Sequence, residues 1–508
     1  MLTRRKAMQV LAGGAAGLPV ALEGLRQASE AAVAPAFQTG SRRPWDKPNL
    51  LFLWTDQQRA DTMAAYGNTR FRVPTMNRLA SQSVVCDRAY VTQPVCTPSR
   101  SSVMTGLWPH QTACVRNNIP LKQEFRSVAE LIGDSSYRTA YMGKWHLGDE
   151  VFPQHGFEEW KAIEDAIYRN FYSAGRDRNA RSAYHQFLVR LGYKPNEQND
   201  FDRGFATRLP VEHSKPSFLA QEASNFILRH RAEPWMLYVN FLEPHTPFAS
   251  ALDDLHSEED APLKNFPGTP LGPEPEWYKR RRGELSGAKK AGDNSTESRN
   301  RLQRQARNYA GLCSLVDQAL SRILWTLEAA GLADNTIIVY TSDHGEMMGA
   351  HGLMAKQVMY EEAVRVPLLV RAPFRPFKPH HVAHPVSHID LAPTLLELLG
   401  KKNPELPGKS LVPLLGGESR SNNPVHLEWT ADRSDSGEGP NGRTVISHDG
   451  YKLVLYDTDQ SMLFDHNKDP QELRNVYGHA DYAAIRSRLR RMIEAWQKQT
   501  DDTLALPA

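Results

Sequence analysis

Residues 49–57, Asn49-Leu50-Leu51-Phe52-Leu53-Trp54-Thr55-Asp56-Gln57, set a short apolar run against an acid-bearing end. A run this brief fits a strand covered on both faces, as in a parallel sheet. Two more of the kind follow. Trp235-Met236-Leu237-Tyr238-Val239-Asn240 leads to Glu243-Pro244-His245, and Thr336-Ile337-Ile338-Val339-Tyr340 leads to Ser342-Asp343-His344. Helical patterns lie between them. In Tyr309–Ala330, Leu312, Leu315, Val316, Leu320, Ile323 and Leu324 recur at helical spacing, and Gly331 ends the run. Strands alternating with helices predict an α/β fold: a large mixed, mostly parallel sheet sandwiched by helices.

Two stretches read as insertions on that core. Residues 165–210 are aromatic and Arg-rich without clear periodicity, and 251–300 carry several prolines, then Lys/Arg and Gly/Ser. Solvated loop and substrate loop are equally good readings of each. From about Asn423 the pattern changes. Val425–Thr430, Thr444–Ser447 and Tyr451–Tyr456 read as antiparallel strands, with a turn at Asp449-Gly450, and Asp481–Gln499 as a closing helix. This predicts a catalytic domain over 45–420 and a smaller C-terminal α+β subdomain over 421–508.

The N-terminus begins MLTRRKAMQVLAGGAAGLPVAL. Arg4, Arg5 and Lys6 precede a Gly/Ala-rich, moderately apolar stretch, and A-x-A-like sites end at Ala34 and Ala36. Residues 1–36 therefore read as an export signal, and the paired arginines resemble the twin-arginine type. An exported, periplasmic or secreted protein is expected. Gln38–Lys47 reads as a linker. No later apolar run approaches the roughly 18 residues of a membrane span. With 61 basic and 58 acidic residues the net charge is +3, which gives no electrostatic case for nucleic acid. Four cysteines are too few for a disulfide scaffold. Export permits a disulfide among Cys86, Cys114 and Cys313, but if Cys96 is chemically spent at least one of these stays unpaired.

Ligands of open α/β sheets bind outside the carboxyl ends of the strands. Asp56, His245 and Asp343-His344 would therefore converge. With the Gln57 carboxamide they make an oxygen-rich set suited to Ca²⁺ or Mg²⁺, and admitting Mn²⁺. Singly, an Asp after a strand is more often a helix cap, and a lone His more often a core or surface residue. The decisive stretch is Val95-Cys96-Thr97-Pro98-Ser99-Arg100-Ser101-Ser102-Val103-Met104-Thr105-Gly106. Its alternative is a buried cysteine beside a Pro-led helix start.

That stretch resembles the C-x-P-x-R signature, with its S-x-x-x-T-G tail, of the type I sulfatases in the alkaline-phosphatase superfamily. The resemblance runs in order through nearly the whole chain. Asn49–Asn68 is similar to the first strand and metal turn, and Gly143-Lys144-Trp145-His146-Leu147-Gly148 to the lysine-histidine motif. Glu243-Pro244-His245-Thr246-Pro247-Phe248 is similar to the pocket histidine loop, and Thr341–Lys356 to the second metal strand with the pocket lysine. Leu463-Phe464-Asp465 with Asp469-Pro470 resembles the C-terminal subdomain. One departure stands out: many members have two aspartates where this chain has Asp56-Gln57. Phosphonate monoester hydrolases and choline sulfatases show a similar pair.

The resemblance implies hydrolysis of sulfate esters to alcohol and sulfate. Cys96 would be converted to formylglycine, whose hydrate attacks sulfur with one hydroxyl and expels sulfate with the other. Asp56, Gln57, Asp343, His344 and residue 96 would hold one divalent ion, Ca²⁺ first, with Mg²⁺ or Mn²⁺ as alternatives. Arg100 would hold the diol and balance the carboxylates. Lys144 and Lys356 would bind sulfate oxygens, His245 would protonate the leaving oxygen, and His146 would orient or deprotonate the diol. His110 and His351 are read as structural. The implied partners are a sulfated small molecule or glycan, and a formylglycine-generating or anaerobic sulfatase-maturating enzyme. Three alternatives stand beside this: a phosphonate or phosphate mono- or diester hydrolase, a non-catalytic binder of sulfated ligands, and a cysteine-nucleophile hydrolase, which gives Pro98 and Arg100 no purpose.

Overall fold

In the computed structural model, which describes residues 47–165, 175–263, 272–285, 296–419, 423–431 and 439–507, the opening run is strand β1 (Asn49–Asp56), buried throughout. It sits inside a nine-stranded sheet with β2 (Val84–Tyr90), β3 (Arg138–Gly143), β4 (Glu159–Lys161), β5 (Trp235–Pro244), β6 (Thr336–Ser342), β7 (Arg365–Val366), β8 (Leu368–Arg371) and β9 (His380–Ser387). The order is β4-β3-β5-β1-β6-β8-β2-β7, with β9 paired to β2. Strands β4, β3, β5, β1 and β6 are mutually parallel. β8 runs antiparallel to both of its neighbours, so the sheet is mixed and mostly parallel.

Continuous apolar runs suit these strands because each feeds two cores. Leu51 and Leu53 of β1 face one core, while Leu50, Phe52 and Trp54 face the other. On β5, Leu237, Val239 and Phe241 join the first, and Met236 and Tyr238 the second. Among the helices are α1 (Pro74–Ser81), α2 (Cys96–Thr105), α3 (Lys215–Arg229), α4 (Glu276–Leu285), α5 (Thr296–Ala329), α6 (Leu391–Leu398) and α7 (Ala483–Thr500). α1, α3 and α5 cover the first core, and α2 and α6 the second. Helix α5 starts thirteen residues before Tyr309, where its apolar stripe thins to Leu302 and Ala306. The Glu, Arg and Gln that replace the stripe are good helix formers, so propensity extends the helix where periodicity is silent. The described parts of the two insertions carry helices that their sequences do not announce. Ala183–Arg190 is a helix in the first, and α4 lies in the second.

The C-terminal region forms a separate antiparallel sheet in the order β10 (Val425–Trp429), β11 (Gly442–Ile446), β12 (Tyr451–Tyr456) and β13 (Met462–Asp465). The expected Asp449-Gly450 turn joins β11 to β12, with Gly450 at φ 89°. The fourth strand is too short for its pattern to stand out. Helix α7 covers one face with Leu489 and Ile493. The other face shares a core with Tyr90, Val91 and Val95 beside the large sheet. The 420/421 boundary and the signal over 1–36 fall outside the described residues. Among the described residues no helix is long and apolar enough to cross a membrane, and all four cysteines are free and buried.

Candidate active site

Because β3, β5, β1 and β6 are parallel neighbours, their carboxyl ends lie side by side, and the residues that follow them meet. Asp56 ends β1, Lys144 follows β3, His245 follows β5, and Asp343-His344 follow β6. Lys144 enters through a tight passage. Gly143 has φ 117°, and a Cβ there would lie 1.8 Å from the Asn240 carbonyl oxygen, so the position admits glycine alone.

Cys96 opens α2 and is buried. Its Sγ lies 3.2 Å from His344 Nε2, 3.9 Å from Lys144 Nζ and 4.0 Å from Asp56 Oδ1. Burial and Asp56 push the thiol up, but Lys144, Lys356 and His344 outweigh them and bring it down to about 7. One turn along α2, Arg100 is fully buried over the Trp54 ring. Its Nε donates to Asp343 Oδ2 and its Nη2 to Asp56 Oδ2, both at 2.9 Å. Its Nη1 donates to the Lys144 carbonyl and to Asn240 Oδ1. The fork thus spans two carboxylates and fixes the backbone that carries Lys144. Lys144 Nζ lies 2.5 Å from Asp56 Oδ2. Burial would raise the Asp56 carboxyl, yet Lys144, His245 and Arg100 hold it well below the usual carboxylate range.

Asp56, Cys96, Asp343 and His344 are all buried, and their donor atoms lie within 4.8 Å of one another, a group able to hold a metal ion. The tautomer of His344 makes the case sharper. Nδ1 is 3.0 Å from the Gly345 carbonyl, which requires the proton there. Nε2 then faces Asp56 Oδ1 at 3.6 Å and Asp343 Oδ1 at 3.5 Å; burial would lower the imidazole but Asp343 outweighs it and pushes it up, and a cation held there would take the place of that proton. Acceptors that converge on one point are satisfied by a cation. Two carboxylates, an imidazole and the nearby Gln57 carboxamide suit a hard divalent one. Gln57 Oε1 accepts from Lys356 Nζ at 2.5 Å, which brings the expected pocket lysine to the same cluster.

The two remaining histidines are placed less centrally. His245 Nδ1 lies 2.8 Å from the Thr246 carbonyl and 3.4 Å from Arg203 Nη1. Burial, Lys356 and Lys144 hold its imidazole well below the usual range. It lines a pocket with Arg203, Thr207 and Leu209 of one insertion and Ser250 and Ala251 at the edge of the other. His146 has its Nε2 2.8 Å from Asn118 Oδ1, and its carbonyl accepts from Thr97 Oγ1, beside Cys96. His110 pairs with Glu428, and His351 stacks on Tyr360, as structural residues would. Sequence reasoning missed Asn240, Glu346 and the Arg203–Glu164 pair. Asn240 had a signal, since it ends an apolar strand run. Arg203 had none, because its partner lies 39 residues away.

Fold and cluster together define an α/β protein with a buried cysteine set against a group able to hold a metal ion at the carboxyl edge of its sheet. The chain belongs to the sulfatase family: the family profile described as "Sulfatase" matches residues 48–401. A second profile, "N-sulphoglucosamine sulphohydrolase, C-terminal", matches 349–499. The chain is 27% identical to N-acetylglucosamine-6-O-sulfatase of Bacteroides thetaiotaomicron, over 90% of this chain and 87% of that protein. It is also 27% identical to the ulvan-active sulfatase of Formosa agariphila, over 87% and 80%. The phosphonate monoester hydrolase of Agrobacterium radiobacter shares the fold, with a TM-score of 0.74 at 23% identity, covering 89% of this chain and 96% of that one. The protein is a sulfuric ester hydrolase.

Proposed function

We propose that this enzyme removes sulfate from a carbohydrate, at a formylglycine derived from Cys96 and beside one calcium ion held by Asp56, Gln57, Asp343, His344 and residue 96. The observation that carries the reading is Cys96 itself, at the first turn of a buried helix with its Sγ 3.2 Å from His344 Nε2 in the cation-binding cluster. An ion held by these residues would supply fixed positive charge facing the sulfate ester. The aldehyde, once hydrated, supplies the oxygen nucleophile that a thiol is not.

The chain's own residues do the rest. Arg100 neutralises Asp56 and Asp343 and holds the Lys144 backbone, so its part is charge balance and positioning. Lys144 and Lys356 grip the sulfate oxygens. His245 protonates the leaving alcohol oxygen. Its surroundings are strongly positive, and a sulfate monoanion between Lys144 and Lys356 offsets that charge and favours the protonated ring. His146, tied to the Cys96 turn through Thr97, orients the nucleophile. Residues 45–420 carry the reaction and 421–508 form the C-terminal subdomain. Arg4 and Arg5 direct export after a maturation enzyme has modified Cys96.

A carbohydrate substrate is supported by the names of the N-acetylglucosamine-6-O-sulfatase and ulvan-active relatives. The Asp56-Gln57 pair favours one rival, a phosphonate monoesterase. The test is a panel of sulfated mono- and oligosaccharides, an aryl sulfate and a phosphonate monoester, run with mass spectrometry of the residue-96 peptide. The expected result is loss of sulfur at residue 96 and the highest kcat/KM on a sulfated sugar. Full activity with unmodified Cys96, or preference for the phosphonate, would overturn it.

A further inference from the structure

The cluster contains a carboxylate outside the ligand set whose placement bears on Gln57. Glu346 is fully buried, two residues beyond His344. Its Oε1 accepts from the backbone amides of Met348 at 2.8 Å and Ala355 at 2.6 Å, which fixes that oxygen on the loop carrying Lys356. Its Oε2 accepts from Gln57 Nε2. On its other side, Gln57 Oε1 accepts from Lys356 Nζ. The backbone of Gln57 is equally constrained. It lies at φ 72°, its amide donates to Asp343 Oδ1, and its carbonyl accepts from Tyr309 Oη.

A carboxamide has two faces, and which way it points is decided by its neighbours. A carboxylate on one side can take only the NH₂, and an ammonium on the other can meet only the oxygen. Reversing the amide would set acceptor against acceptor at Glu346 and donor against donor at Lys356. One orientation of Gln57 therefore survives, with its oxygen away from Glu346, on the side of Lys356.

We propose that Glu346 is a positioning residue that locks the Gln57 carboxamide so that its oxygen serves the cation, and that it supplies, one carboxamide further out, the negative charge a second aspartate at position 57 would carry. The inference rests on the reading of the cluster as a divalent-cation site. It accounts for how a chain with Asp56-Gln57 keeps an ordered and negatively balanced donor set despite a neutral ligand. Partners that orient metal ligands from behind commonly account for 10–100-fold in metal affinity.

The experiment is a Ca²⁺ titration of the full mature protein after chelation, followed by calorimetry, with thermal melts of the apo and Ca²⁺-loaded forms. Wild type is titrated first. Absence of divalent-cation binding there would remove the cluster reading itself, and the lock with it. Given wild-type binding, Glu346→Gln is expected to weaken Ca²⁺ affinity about 10–100-fold, because it removes the negative charge behind Gln57 and leaves Lys356 alone to hold the amide's orientation. Gln57→Asp placed on Glu346→Gln is expected to recover most of that loss by returning the charge to the ligand. Affinity within about twofold of wild type for Glu346→Gln would overturn the lock while leaving the cation site intact. So would equal loss of melting temperature in apo and loaded forms, which marks a purely structural residue. If Glu346→Gln does not fold, Glu346→Asp keeps the charge but withdraws it by one methylene. Weakened Ca²⁺ binding there supports the lock, and unchanged binding overturns it.

Discussion

Arg100 decides how the acidic residues can be tested. It is buried between Asp56 and Asp343, so each carboxylate balances a charge as well as facing the cation position. Asp343→Ala therefore does two things at once. It removes a ligand, and it leaves a fully buried guanidinium with one carboxylate partner instead of two, a fault of the kind that costs about 3–5 kcal/mol. Asp343→Asn keeps the shape and a hydrogen bond to Arg100. We expect Asp343→Asn to lose activity by a factor on the order of 10³ or more with near-normal circular dichroism, and Asp343→Ala to add a drop in urea midpoint. Equal urea midpoints for the two would show that Asp56 alone balances Arg100. Cys96→Ser is expected to reach a similarly low rate while keeping Ca²⁺ binding, because the other ligands are unchanged. Loss of the ion in that variant would make residue 96 indispensable to the cation site.

At the scale of elements, the second insertion has a part in the site that its sequence conceals. Helix α4 braces the loop that presents Lys356. Arg281 Nη2 donates to the Lys356 carbonyl at 3.0 Å, and Arg282 Nε donates to the His351 carbonyl at 2.9 Å. Tyr278 Oη accepts from the Met359 amide and pairs with Tyr456 Oη of the small sheet. Arg281→Ala should lower kcat/KM for sulfate esters about tenfold, the loss of one or two hydrogen bonds near a charged group. Most of the effect should fall on KM, with Ca²⁺ affinity unchanged; steady-state kinetics and calorimetry check both halves. A change confined to melting temperature would make α4 a stabiliser only. The strands β1, β5 and β6 were readable in advance because each is a continuous apolar run with a polar end, so Asp56, His245 and Asp343 were readable too. Helix α4 was not. Over its described side chains, Glu276–Arg282, the buried residues are Trp277, Tyr278 and Arg281, which make no apolar stripe, and the partners named here lie 69 to 178 residues away. Glu346 was hidden for another reason: it lay inside a motif whose neighbours had already been given roles.

Across the whole molecule, the catalytic region and the small sheet are joined by an ionic knot as well as by apolar contacts. Lys452 of β12 is fully buried, 2.8 Å from Glu472 and 3.2 Å from Glu361 of the catalytic region, and His466 pairs with Glu472. Glu361, His466 and Glu472 alone would resemble a metal site, but the Lys452 ammonium already supplies the positive charge. Burial would raise the Glu361 carboxyl; Lys452, His466 and Arg365 outweigh it and hold it at about 2. A carboxyl depressed on folding contributes stability above its unfolded value, near 4.5, and loses it as pH falls toward the folded value. The knot should therefore hold at neutral pH and weaken progressively between about pH 4.5 and pH 2. Lys452→Met removes the central cation and leaves Glu361 and Glu472 with only Arg365 and His466 beside them, at a cost of roughly 3–5 kcal/mol near neutral pH. In that variant protonation relieves the repulsion, so the sign of the pH dependence reverses. Wild type should lose stability on acidification through this window, whereas the variant's deficit relative to wild type should shrink. Urea unfolding from pH 7 down to about pH 3, which enters that window, measures the difference directly. A deficit that stays constant with pH would mean that Lys452 acts by packing its stem and not by its charge.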